Sequence, residues 1–208
     1  MDSFGDPKNI GKSKNINESE KNVIKYILPD YDFNNKNVFE FGPLIKEERL
    51  SLMKYITKKG GNYFCMDHCK QYGQSRTQCL ALQKKYGFYF EINDYMPLIN
   101  DPSKINNYPI LKNNKFDLYF MKCGVQTGEE LKVIKLIMKL NPDAKLILVP
   151  FHYIKKITPN YRTREQNIIF HKNQQYEKLG CKVIEVSDEV FQNFHHVKNY
   201  NIIITRNI

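Results

Sequence analysis

Three carboxylates stand where an apolar run of the chain gives way to a turn. Glu40 lies in Asn37-Val38-Phe39-Glu40-Phe41-Gly42-Pro43-Leu44, Asp67 closes Asn62-Tyr63-Phe64-Cys65-Met66-Asp67, and Asp94 follows Phe88-Tyr89-Phe90-Glu91-Ile92-Asn93. A carboxylate at the carboxyl end of a strand accepts two hydroxyl hydrogens at once, which suits the diol of a ribose. Gly42 lets the backbone come close to a ligand because no Cβ intervenes. Each acid taken alone also reads as a helix cap or a solvated charge; their repetition at the ends of successive runs is what points to a site.

Other reactive side chains carry less. Cys65, His68, Cys69 and Cys79 do not repeat the two-residue cysteine spacing of a zinc knuckle, and Cys65 falls inside a strand, so no metal site is expected. Cys123 reads as a buried thiol and the pair His195-His196 as part of an exposed loop. Lys155, Lys156, Arg162 and Arg164 mix with Tyr153 and Tyr161 after the fifth strand. Cations interleaved with aromatics hold phosphates and stack bases, so these four are the expected substrate-binding residues.

The elements that would position these groups alternate. Residues 1–18 are polar and read as a flexible tail; a domain occupies 19–208. A short helix over Glu18 to Ile27 ends before Pro29. Helical spacing over Lys46 to Lys59 stops at Gly60-Gly61. Arg76 to Tyr86 is helical and closed by Gly87, and Tyr95 to Lys115 is a long irregular stretch. Phe116 to Met121 is a fourth strand, a helix runs to Leu140, and Lys145 to Pro150 is a fifth strand. A helix over Arg164 to Leu179, a strand from Cys181 to Val186 and a last strand from Asn201 to Thr205 complete the chain. Alternation predicts an α/β fold: one Rossmann-like domain with a mostly parallel seven-stranded sheet and helices on both faces. The last two strands lack a long helix between them and are expected to pair antiparallel.

In that order of elements the sequence resembles the class I S-adenosylmethionine-dependent methyltransferases, over about residues 20–208. Val38-Phe39-Glu40-Phe41-Gly42-Pro43 resembles that family's first motif, and Leu140-Asn141-Pro142-Asp143-Ala144-Lys145 resembles its turn before the fifth strand. The resemblance implies S-adenosylmethionine as cofactor. It places Asp67 on the ribose hydroxyls and Asn93-Asp94 near the adenine amino group, with Glu40, Gly42 and Lys122 completing the cofactor-binding set. The sequence departs from the pattern in two places. Bulky Pro43-Leu44-Ile45-Lys46 follows Gly42 where further glycines are usual. Met121-Lys122-Cys123-Gly124 stands where amino-directed nucleic-acid methyltransferases carry Asn-Pro-Pro-aromatic.

The formal net charge of +10 favours an anionic acceptor, with RNA ahead of a small metabolite. An AT-rich coding sequence would also supply lysine, and the lysines are scattered. An odd count of five cysteines and a polar N-terminus lead us to expect a cytoplasmic setting with free thiols and no membrane partner. The bulky turn leaves a second reading open, a methyltransferase fold that has lost catalysis and serves as a binding or scaffold subunit.

Overall fold

Val38, Phe39, Glu40 and Phe41 are buried on both faces of β1 (Asn37–Phe41), as a central strand of a parallel sheet requires. The computed structural model describes residues 19–43, 45–47, 50–68, 75–122, 129–149, 153–154, 174–186 and 200–208. The tail at 1–18 lies outside them.

Around β1 stand β2 (Asn62–Asp67), β3 (Tyr89–Ile92), β4 (Leu118–Lys122), β5 (Lys145–Val149), β6 (Tyr153–Ile154), β7 (Cys181–Val186) and β8 (Tyr200–Arg206). The order is β3-β2-β1-β4-β5-β8-β6, with β7 also paired to β8. The first five strands run parallel. β8 is antiparallel to both β5 and β7. The expected seven strands are therefore present, with the antiparallel ending. The addition is two-residue β6, which pairs with β8 inside what reads from sequence as a basic loop.

Strand alternation divides the core. Val38, Tyr63, Cys65, Leu118 and Phe120 pack with α1 (Ser19–Ile27) and α2 (Ser51–Lys58) on one face. Phe39, Phe41, Phe64, Tyr119 and Met121 pack on the other with α6 (Glu130–Leu140). Phe39 meets Phe41 at 4.7 Å and Phe116 at 5.0 Å between ring centroids. α3 (Arg76–Tyr86) opens with a capping box, in which Ser75 and Gln78 each bond the other's backbone N–H.

Two boundaries differ from the sequence reading. The fourth strand starts at Leu118, and just before it the Asp117 carboxylate accepts the Asn37 N–H at 2.8 Å. The irregular stretch from Tyr95 contains α4 (Met96–Asn100), a 3₁₀ turn (Pro102–Asn107) and α5 (Pro109–Asn113). Each has a proline in its first turn, where the missing N–H costs nothing. Leu98, Ile99, Tyr108 and Leu111 tie these turns to the core.

Candidate functional site

The sheet order reverses at β1: β2 and β3 extend to one side, β4 and β5 to the other. Ligands of open α/β sheets bind at the carboxyl ends of strands around such a point. Four of the expected cofactor residues lie there. Alternation puts Glu40 on the α1 face of β1, and it puts Asp67 and Lys122 on the same face of β2 and β4.

Glu40 is 5% exposed and accepts a hydrogen bond from the Tyr63 hydroxyl. Burial pushes its carboxyl up to about 8, and the nearby charge of Glu20 adds to the rise. The Tyr63 bond and the Lys122 ammonium oppose it, and Asp67 contributes a smaller rise. Lys122 Nζ lies 2.8 Å from Glu20 Oε1, both side chains mostly buried, so α1 is tied to the end of β4. Asp67 is buried at the end of β2, with His68 Nδ1 3.6 Å from its carboxylate.

Gly42 adopts φ +63°, a conformation that L side chains rarely take. Its N–H donates to the Met66 carbonyl at 2.8 Å, which locks the turn onto β2. A Cβ at Gly42 would lie 2.7 Å from the Tyr95 hydroxyl. Tyr95 packs edge-on to Phe41 at 5.7 Å. Burial, with the charges of Asp67 and Asp94, pushes its hydroxyl up to about 12, so it is a neutral donor at physiological pH.

Asn93 and Asp94 hold the loop after β3. Asn93 Nδ2 donates to Glu91 Oε1 and to the Asn107 carbonyl, both at 3.0 Å, and its Oδ1 accepts the Asp94 N–H at 2.9 Å. Asp94 Oδ1 accepts the Met96 N–H at 2.9 Å, and the Asp94 carbonyl accepts the Tyr108 hydroxyl at 2.8 Å. Pro43 and Ile45, part of the bulky turn, are buried. Lys155, Lys156, Arg162 and Arg164 lie outside the described residues, as do Cys69, Cys123 and His195-His196.

Sequence reasoning missed three members of this cluster. Tyr63 carried a usable signal, since it shares the face of Asp67 through Cys65 in a two-residue period. Tyr95 follows Asn93-Asp94 directly but reads as the start of an irregular stretch. Glu20 had no signal, because its partner Lys122 is 102 positions away. Cys65, Cys79 and Cys181 are buried and in no disulfide. Among the described residues no three His, Cys, Asp or Glu side chains group as metal ligands, and no helix is long and apolar enough to cross a membrane.

No protein-family model matches the chain, and no curated protein matches it in sequence. Solved structures do match. Fibrillarin from Aeropyrum pernix, crystallised with natively bound S-adenosyl-L-methionine, aligns with TM-score 0.58 at 11% identity, covering 91% of this chain and 76% of its own. The CurJ carbon methyltransferase aligns with TM-score 0.51 at 13% identity over 92% of this chain and 54% of its own. The pyocyanin biosynthetic protein PhzM aligns with TM-score 0.51 at 10% identity over 91% and 55%. The chain has the Rossmann-like fold of the class I S-adenosylmethionine-dependent methyltransferases.

Proposed function

We propose that this protein is an S-adenosylmethionine-dependent methyltransferase. The observation that carries the reading is the placement of two buried carboxylates, Glu40 and Asp67, on neighbouring strand ends at the point where the sheet order reverses. Asp67 would accept the ribose hydroxyls, and the Gly42 turn would let the backbone approach the nucleoside. Glu40 and Lys122 would face the methionine end, with Asn93 and Asp94 toward the adenine. S-adenosylmethionine supplies a methyl group on a sulfonium that is already a good leaving group. The chain's task is then to orient the acceptor and exclude water rather than to supply a strong acid or base.

Asp67→Ala tests the ribose contact. It leaves two hydroxyls without their acceptor, which costs on the order of 1.5–3 kcal/mol, or roughly 10- to 100-fold in affinity. The expected result is that loss for S-adenosylmethionine in a variant that keeps its near-UV circular dichroism. Unchanged affinity in the folded variant would place the ligand elsewhere.

The acceptor we favour is RNA, on the net charge of +10 and on Lys155, Lys156, Arg162 and Arg164. Neutralising phosphates releases counterions, with a log–log salt slope of about −0.7 per phosphate contacted on a single strand. Replacing the four cations together is expected to flatten that slope and leave cofactor binding intact. Overlapping salt titrations of wild type and variant would count against these four as the RNA contacts.

One observation favours a second reading. Tyr95 lies where a Cβ on Gly42 would project, and Pro43 and Ile45 follow the turn in the core. A site narrowed in this way suits a binding or scaffold subunit that no longer takes the cofactor.

A further inference from the structure

We infer that the outer edge of β3 carries a second site, in which a base of single-stranded RNA stacks on Tyr89 in a groove between α3 and α5. This rests on the RNA part of the functional reading and not on its cofactor part.

Tyr89 is 52% exposed, one of few large hydrophobic side chains left open among the described residues. Its ring lies nearly parallel to buried Phe64, 13° apart with centroids 4.4 Å apart. The pair is a stack with one end in the core and the other open to an incoming ring. A cavity of about 560 Å³ adjoins it, lined also by Gln83 of α3, Asn107 of the 3₁₀ turn, and Ile110 and Asn114 at α5. That volume falls within the range of small-ligand pockets and accommodates a nucleoside.

The polar lining suits base edges. Amides offer both donors and acceptors, which every base requires. The lining also includes Glu91, whose carboxylate is turned to internal bonds: Oε2 accepts the Ile110 N–H at 2.8 Å and Oε1 accepts Asn93 Nδ2 at 3.0 Å. Exposed lysines neighbour lining residues along the sequence. Lys84 follows Gln83 on α3, and Lys112 and Lys115 flank Asn114, all three exposed. An aromatic face with amides beside it and exposed lysines close by in sequence is the composition that holds single strands, with stacking for the base and cations for the backbone.

The cavity shares Asn93 with the expected cofactor residues, and Tyr89 itself stands back from them. Tyr89 pairs in register with Phe64, three residues before Asp67, which pairs with Ile92. At roughly 3.3 Å per residue, Tyr89 stands about 10 Å back from the carboxyl end of the strand. A strand held there is anchored away from the reacting position, so the site contributes affinity to a long acceptor and nothing to a free nucleotide at the cofactor end.

The test is fluorescence anisotropy of a labelled oligoadenylate at low salt, without cofactor. Stacking on one aromatic contributes about 1–3 kcal/mol by alanine substitution, so Tyr89→Ala is expected to weaken binding roughly 5- to 100-fold. Tyr89→Phe keeps the ring and is expected to bind like wild type. Lys112→Glu with Lys115→Glu leaves the stack untouched and is expected to weaken binding and flatten its salt dependence. Equal affinity of wild type, Tyr89→Ala and the double lysine variant would overturn this site and leave the RNA reading standing. Wild type that binds no oligonucleotide would overturn both.

Discussion

Glu40→Gln is expected to raise the stability of this protein at neutral pH and to remove most of its pH dependence between about 5 and 8. Glu40 sits in the core with its carboxyl pushed up to about 8, from an ordinary value of 4.5. The folded chain therefore holds a proton there that the unfolded chain gives up. A raised carboxyl contributes stability that is fully present below about 4.5 and is lost as pH rises toward 8. At 1.36 kcal/mol per pH unit, the full loss across that window is on the order of 5 kcal/mol. The groups facing Glu40 are Glu20 from α1, Tyr63 and Asp67 from β2, and Lys122 from β4. Glutamine keeps an acceptor for the Tyr63 hydroxyl and never ionises. Urea unfolding of both proteins at several pH values checks this. The expectation is a falling curve for wild type and a flatter, higher one for the variant; parallel curves would mean that Glu40 is ionised in the fold. The same change is expected to weaken a cationic ligand, because a positive charge beside Glu40 would favour its ionised form and glutamine has none.

Gly42→Ala is expected to destabilise the protein by about 2–5 kcal/mol. The left-handed conformation costs an L residue about 1–2 kcal/mol, and crowding a packed neighbour costs typically 1–3 kcal/mol more. The neighbour is identified: the Tyr95 hydroxyl would lie 2.7 Å from the new methyl group. Combining Gly42→Ala with Tyr95→Ala is therefore expected to cost less than the sum of the two single changes. Strict additivity in a double-mutant cycle would show that the turn and the ring do not meet.

How much of this was legible in the sequence depends on the range of the interactions. The central strand was readable because Val38-Phe39-Glu40-Phe41 is short, apolar and followed by a glycine, all local signals. The antiparallel ending was readable because the link between β7 and β8 carries no long helical pattern. Lys122 reads as a cofactor cation from its place after the fourth strand, yet its ammonium lies against Glu20. That pairing is tertiary, and no local pattern marks it. Asn93 and Asp94 sit where expected, but their side chains bond the loop that follows, a turn chemistry hidden within the irregular stretch. Tyr95 belongs to the site because its ring lies against Gly42, which no periodicity in residues 95–115 indicates.

The central claim is that the strand ends around Glu40, Gly42 and Asp67 take S-adenosylmethionine. Titration calorimetry of the full chain with S-adenosylmethionine, and separately with its demethylated product, tests it most directly. The account predicts saturable binding of S-adenosylmethionine at about micromolar strength, a free energy near −8 kcal/mol. No heat of binding at millimolar ligand, from a protein whose unfolding transition confirms that it is folded, would contradict it and leave a subunit with the methyltransferase fold and no cofactor.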